Sequence, residues 1–418
     1  MQLIDIELRT TPEHVRLVGR VACNEPKRKV VPPAFNEALF EEYRKNGKDV
    51  EVYFEFPRRY ESFVSQTADA FAIALMLPSM AAGEPLEIDP PVSETLLFNL
   101  TGIQDIFCAW YPDRFQRVPI LAEPRIEQRK PRVQRAASFF SGGVDSFYTL
   151  LKRLGPDPLP VPLTHMIFMN GVEQKLDNSR GSDLSQQRAE KVATLSCIEC
   201  ISGETNLRTV FPLHWERYYV GAVLAATAVA LSEGLGYVCI PSSNTHREPR
   251  ITGTSPLVDE RYSTESVHIV HDGSESGRGE KMKRIVQWNK QLVLQNLRVC
   301  FDNSAGNFNC GKCYKCVRTT VALKALGLFG EASTFPDKST SHWGKVLLED
   351  LPVHTRENLA LAQEIGGDPQ LLRLLEHVVR KLNRYDALAA FVKNSPLEHL
   401  LPIFRMIRQR VGGSERMR

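Results

Sequence analysis

The chain has 418 residues, 43% of them hydrophobic and 24% charged, with a net charge of +3. That length suits two or three domains, the composition is that of an ordinary soluble globular protein, and the charge by itself names no partner. No apolar run reaches 18 residues and the start, Met1-Gln2-Leu3-Ile4-Asp5, lacks a charged-then-apolar signal pattern, so the reading is a cytosolic protein with no membrane span.

In chain order, Gln2 to Leu8 and His14 to Ala22 read as an antiparallel pair joined by Thr10-Thr11-Pro12-Glu13, and Val50 to Phe56 alternates as a third strand. Tyr60 to Met80 carries apolar residues at helical spacing up to the Gly83-Glu84-Pro85 break; a second helix is expected from Ser93 to Trp110, then a short strand from Val118 to Leu121. Residues 1–122 thus form an α+β accessory domain without nucleophile or metal spacing, suited to substrate docking or dimer contact. His14 and Cys23 read as surface or core residues. Residues 123–135 are polar with two prolines and read as a linker. The basic stretches 125–135 and 405–418 fit a solvated linker and tail better than a nucleic-acid contact.

Ala136 to Phe140 is an apolar run of strand length, and Phe147, Leu150 and Leu151 recur at helical spacing. Between them lies Ser141-Gly142-Gly143-Val144-Asp145-Ser146. Two glycines allow a tight turn and close ligand approach, and the amides and dipole of the following helix favour an anion there. Ser141 and Ser146 add hydroxyl donors. The turn reads as a phosphate site; a plain strand-turn-helix is the bland alternative. It is not a Walker A loop, since no Gly-Lys-Ser/Thr follows.

Further strands are expected at His165 to Met169, Cys197 to Ser202, Tyr237 to Ile240 and Val267 to Val270, with helices at Gln186 to Ser196, Val220 to Gly234 and from Glu280 on. This alternation predicts an α/β fold, a mainly parallel sheet with helices on both faces. Residues 170–185 read as a loop at a strand's carboxyl end, where such sheets bind ligands, and 241–246 as a second wall of the pocket. Cys197 and Cys200, on opposite faces of a strand, read as packing rather than as a redox pair. Lys281, after a glycine-rich loop, is either a phosphate-facing or a surface lysine.

Cys300, Cys310, Cys313 and Cys316 gather four of the nine cysteines in one segment. Four thiolates suit tetrahedral Zn²⁺ in a closed, structural site; an iron–sulfur cluster is the competing reading. The last ~90 residues read as helices at 357–365, 369–392 and 397–411, whose apolar stripes pack on the core or on a partner.

The Ser-Gly-Gly-x-Asp-Ser string resembles the signature of the PP-loop (N-type) ATP pyrophosphatases. Joined with Cys310-Gly311-Lys312-Cys313-Tyr314-Lys315-Cys316-Val317-Arg318, it resembles the 7-cyano-7-deazaguanine synthase family over residues 136–325. The resemblance implies a PP-loop domain over 136–330; the helical region over 331–418 lies outside it. It implies ATP and Mg²⁺ bound through Ser141, Gly142, Gly143, Asp145 and Ser146, and Zn²⁺ on the four cysteines. Asp145 and Ser146 would be catalytic in the adenylation of a carboxylate, with AMP and pyrophosphate released; Lys281 is added as a catalytic candidate from its place after the glycine-rich loop, not from the resemblance. Asn170-Gly171-Val172-Glu173 departs from the family's Asp-Tyr-Gly-Gln, 242–262 is not the family's substrate segment, and the flanking regions have no counterpart. The acceptor is therefore a deazapurine carboxylate or a group on a protein or nucleic acid, as in related proteins of bacterial anti-phage defence. A non-catalytic ATP-binding module is the reading from another class. A tRNA-thiolating enzyme would need a redox cysteine that the cluster does not leave over. The added regions suggest a protein partner or a homodimer.

Overall fold

The computed structural model describes residues 1–22, 49–125, 133–172, 176, 179–300, 308–336 and 338–393, with side chains left out at 179–182 and 389–393. Cys23, most of the expected linker and the expected helix at 397–411 lie outside the described residues.

The strands are β1 (Gln2–Thr10), β2 (His14–Ala22), β3 (Val50–Pro57), β4 (Leu86–Ser93), β5 (Ile120–Arg125), β6 (Ala136–Phe139), β7 (Leu163–Asn170), β8 (Glu199–Thr205), β9 (Tyr237–Pro241) and β10 (His268–Asp272). The helices are α1 (Asp69–Ala82), α2 (Glu94–Trp110), α3 (Val144–Leu154), α4 (Ser179–Leu195), the single turn α5 (Leu207–Val210), α6 (Val220–Ala230), α7 (Arg278–Asn296), α8 (Tyr314–Ala325), α9 (Trp343–Glu349), α10 (Pro352–Ile365) and α11 (Pro369–Lys393).

Among the described residues, ten strands form one sheet in the order β10-β9-β6-β7-β8-β3-β2-β1-β4-β5. The expected accessory strands are therefore continuous with the α/β core: β3 pairs antiparallel with β8 through Phe54 opposite Thr205. Asn206 accepts the Tyr53 amide at 3.0 Å and donates to the Glu51 carbonyl at 2.8 Å, extending that seam. The chain divides into two compact units, Met1–Ser141 with Thr149–Glu275, and Gly142–Tyr148 with Ser276–Arg418. The first holds the whole sheet; the second is helical. This division differs from boundaries drawn at 122, 136 and 330, because a shared sheet is invisible to composition.

Within the first unit, β10, β9, β6, β7 and β8 run parallel. Their spatial order reverses chain direction at β6, between β9 and β7, as in a doubly wound sheet. β6 is buried along its whole length, as a strand covered on both faces must be.

Several local expectations shift. The 60–80 helix starts only at Asp69, whose buried carboxylate accepts the Ser93 amide at 2.8 Å and an Arg125 nitrogen at 2.5 Å. Thirteen residues of α1 are buried, so its apolar residues face all round and give no clean stripe. β4 is an unpredicted strand, since Pro90-Pro91 inside it reads as a break. The last strand of this part runs over 120–125, into the expected linker. α4 begins at Ser179, inside the expected loop. Cys197 is not in a strand: it is exposed, with φ 56° in the turn before β8, whereas Cys200 is buried in β8.

Against α6, the small residues serve close approach. A Cβ on Gly221 would stand 2.0 Å from the Gly253 carbonyl oxygen. At the carboxyl ends of β9 and β10, Asp259 holds His271 Nδ1 at 2.7 Å, His271 Nε2 reaches Ser274 at 3.1 Å, and Ser274 Oγ donates to Ser242 Oγ at 2.8 Å. Asp259, Ser242 and Ser274 are buried, and this chain of bonds ties the two loops together.

Candidate functional site

The turn after β6 has the backbone its glycines promise. Gly142 has φ 80°, a left-handed value that favours glycine. Its carbonyl accepts the Arg298 amide at 2.8 Å, and a Cβ at Gly142 would lie 3.4 Å from that of Arg298. The Gly143 carbonyl accepts both the Phe147 amide and the Ser146 hydroxyl at 3.0 Å, which starts α3. Ser141 is half-buried at the end of the preceding strand.

Asp145, in the first turn of α3, and Lys281, in the first turn of α7, meet. Lys281 Nζ donates to Asp145 Oδ1 at 3.1 Å, and Arg278 Nη1 to Asp145 Oδ2 at 2.9 Å. Arg278 and Lys281 are three residues apart, hence on one face of α7. Lys281 is 1% exposed; its ammonium also lies 5.5 Å from the Tyr148 ring centre. Burial works against the Asp145 carboxylate, but the charges of Lys281 and Arg278 outweigh it and hold the acid well below the usual carboxylate range. Sequence reasoning chose Asp145 and Lys281 separately; the structure brings them into one ion cluster. It overlooked Arg278, whose signal was the Arg-x-x-Lys spacing at the helix start.

Arg318 on α8 was overlooked too, and it is 7% exposed. Its Nη1 lies 3.4 Å from Asp350, and its guanidinium carbon sits 5.4 Å from the Tyr314 ring centre. Burial, and then the positive field of Arg278, lowers its pKa to about 10. Arg278, Arg318 and Thr319, with His354, Glu357 and Asn358 of α10, line a small cleft. His354 is held below the ordinary histidine value by burial, which the bond to Glu357 only partly offsets.

The four cysteine sulfurs lie within 4.8 Å of one another, a group that could hold a metal ion such as zinc. Cys300 to Cys313 and Cys310 to Cys316 are each 3.8 Å apart. A tetrahedron with Zn–S of ~2.3 Å has edges of ~3.8 Å, so these separations fit that ion. Gly311, at φ 74°, lets the loop turn back so that the amides of Lys312 and Cys313 donate to the Cys310 sulfur at 3.4 and 3.3 Å. Cys313 caps α8 and Cys316 lies in its first turn.

Asn309 joins the arms of this segment. Its Oδ1 accepts the amides of Val299 at 2.8 Å and Cys300 at 3.2 Å, while Nδ2 donates to the carbonyls of Leu297 and Thr334 at 3.0 Å each. Because Cys316 and Arg318 share a helix turn, ordering the metal segment also orders Arg318.

Compared with family models, curated proteins and solved structures, the chain matches none. What the fold and site define is an α/β protein with a mainly parallel sheet and a four-cysteine group suited to a metal ion. Among the described residues, no helix is long and apolar enough to cross a membrane.

Proposed function

We propose that the chain is an ATP-dependent ligase or synthase that adenylates a carboxylate and releases AMP and pyrophosphate, similar in chemistry to the 7-cyano-7-deazaguanine synthases. The observation that carries this reading is the Ser141–Ser146 turn, which follows the strand at which the sheet order reverses and sets Asp145 against Arg278 and Lys281. In the reaction a carboxylate oxygen attacks the α-phosphorus, the bond to the bridging oxygen breaks, and that oxygen's electron pair leaves with pyrophosphate. The amides of the turn and the two cations supply fixed positive charge where negative charge grows. Asp145 is the carboxylate of the turn that would hold Mg²⁺, in exchange for its bonds to Arg278 and Lys281, and the ion would supply charge neutralisation to the phosphates. The four-cysteine site, closed by its own ligands, contributes to folding and takes no step.

The acceptor is either a free heterocyclic carboxylate or a group on a protein or nucleic acid. The five strands over residues 1–125, which the resembled enzymes lack, favour the larger target. Incubation with ATP and candidate acceptors, followed by quantitation of AMP and pyrophosphate, tests the reading. Formation of ADP and phosphate instead would overturn it.

A further inference from the structure

We propose that Asp259 and His271 form a two-proton dyad that acts as a pH-sensitive latch on the loop over 242–258, closed while the pair holds both protons and released when one is lost. The latch needs no nucleotide and is independent of the ATP reading above.

The direction of each bond in the buried chain carries it. The Asn244 carbonyl can only accept, and Ser242 Oγ donates to it at 2.8 Å. That spends the one proton of Ser242, so Ser274 Oγ is the donor where the two hydroxyls meet at 2.8 Å. Ser274 then has no proton to give His271 Nε2, 3.1 Å away, and the ring must supply it. A second proton is needed between His271 Nδ1 and Asp259 Oδ2, 2.7 Å apart. A neutral imidazole beside a carboxylate holds only one. Either the ring carries both protons against the carboxylate, or a protonated Asp259 donates to Nδ1. Both forms are net neutral.

The surroundings favour a neutral pair. The side chains of His271 and Asp259 are 2% and 0% exposed, so a net charge there would go unsolvated. Burial pushes the Asp259 carboxyl above its ordinary value, the bond to His271 offsets this only in part, and the charge of Glu260 adds to the rise. On the same turn Tyr262 is a buried phenol and Arg261 Nε donates to the Leu257 carbonyl. From α6 no titratable side chain faces the pair, since that helix has none. From α2 the turn meets Gly102 beside Arg261; the acids of that helix, Glu94 and Asp105, are exposed, and Asp105 pairs with Arg117. On β10, Asp272 is engaged by Lys152 and Arg153, and His268 packs edge-on against Tyr237. His246, Arg247, Glu248 and Arg250 of the loop itself are exposed.

Loss of one proton leaves Nε2 bare. The Ser274 hydroxyl then turns to it, and the side-chain tie from Ser274 to Ser242 breaks. Two amide bonds remain at the base of the loop, Ser242 to the Asp272 carbonyl at 2.7 Å and His246 to the Ser274 carbonyl at 2.9 Å. The loop leaves the carboxyl end of β9, the end from which parallel sheets project their binding loops.

The test is nitrogen NMR of the full chain labelled at histidine, at about pH 7.5. The His271 signals are identified by their loss in His271→Gln or, if that variant does not fold, by their displacement in Ser274→Ala. A proton on Nε2 is expected; a ring protonated on Nδ1 alone overturns the inference. Hydrogen exchange then reads the latch. Protection of the His246 amide, corrected for the intrinsic exchange rate, should fall at least about tenfold between about pH 7 and pH 9.5. Ser274→Ala should show the lowered protection at both values. Protection in wild type that does not change with pH overturns the inference.

Discussion

Asp145 and Lys281, 136 residues apart in the chain, lie within 3.1 Å of each other. Their contact, with Arg278 on the other carboxylate oxygen, ties the first turn of α3 to the first turn of α7. The contact therefore helps hold this unit together, and under the proposed function a substitution there acts on activity as well as on the fold.

Asp145→Asn should abolish AMP formation and also lower stability by about 3 kcal/mol, because a buried ammonium loses its charged partner. Asp145→Asn combined with Lys281→Met should regain most of that stability and no activity. Melting curves and AMP assays on the singles and the double separate the roles. Equal destabilisation of the single and the double would show that the loss does not come from an unpaired Lys281 ammonium.

Purified protein should carry one zinc per chain and no iron chromophore. Asn309→Ala removes four buried hydrogen bonds at the foot of the cysteine segment and should cost about 3 kcal/mol. It should also speed zinc loss to a chelator, read with a colorimetric indicator. Iron on elemental analysis would reassign the site to a cluster.

Stability should fall with acidification in two legs. Burial depresses His165 and His354 in the folded state, so the unfolded chain takes up their protons first and stability drops as pH falls through about 6.5. Lys281 and Arg278 overcome burial and depress Asp145, whose contribution is complete above about pH 4 and is lost below it. His354→Gln should flatten the first leg and leave the second; denaturant titrations from pH 8 to 3 read both. An unchanged upper leg would mean that His354 has the same proton affinity folded and unfolded.

Gly221→Ala should destabilise the sheet-bearing unit by about 2 kcal/mol, since the added Cβ has backbone, not a movable side chain, 2.0 Å away. Ala222→Gly, one position along the same helix, removes a buried methyl and should cost about 1 kcal/mol through helix propensity. Equal losses in thermal melts would count against a close backbone contact.

Much of the chain was legible locally. β1, β2, β3, β6, β7 and β9 follow from period-2 or continuous apolar runs, and α2 from the serine that caps it: Ser93 Oγ accepts the Leu96 amide at 3.0 Å. Where reading failed, long-range partners had overridden local signals. Asp69 delays α1 because its carboxylate serves β4 and Arg125, and α4 starts early in a stretch whose polarity suggested a loop.

By itself the sequence determined the turn and the metal group, because both are contiguous: six residues from Ser141 to Ser146, and three cysteines at Cys-x-x-Cys steps with a fourth ten residues before them. Only the tertiary structure decided that the first five strands belong to the same sheet as the core. It alone also brought Arg278, Arg318 and His354 to one cleft. Strand pairing and charge convergence join residues far apart in the chain, and no local spacing encodes which of many arginines will end buried beside Asp145. The turn is written in six adjacent residues; the fold selects the cations that meet its Asp145.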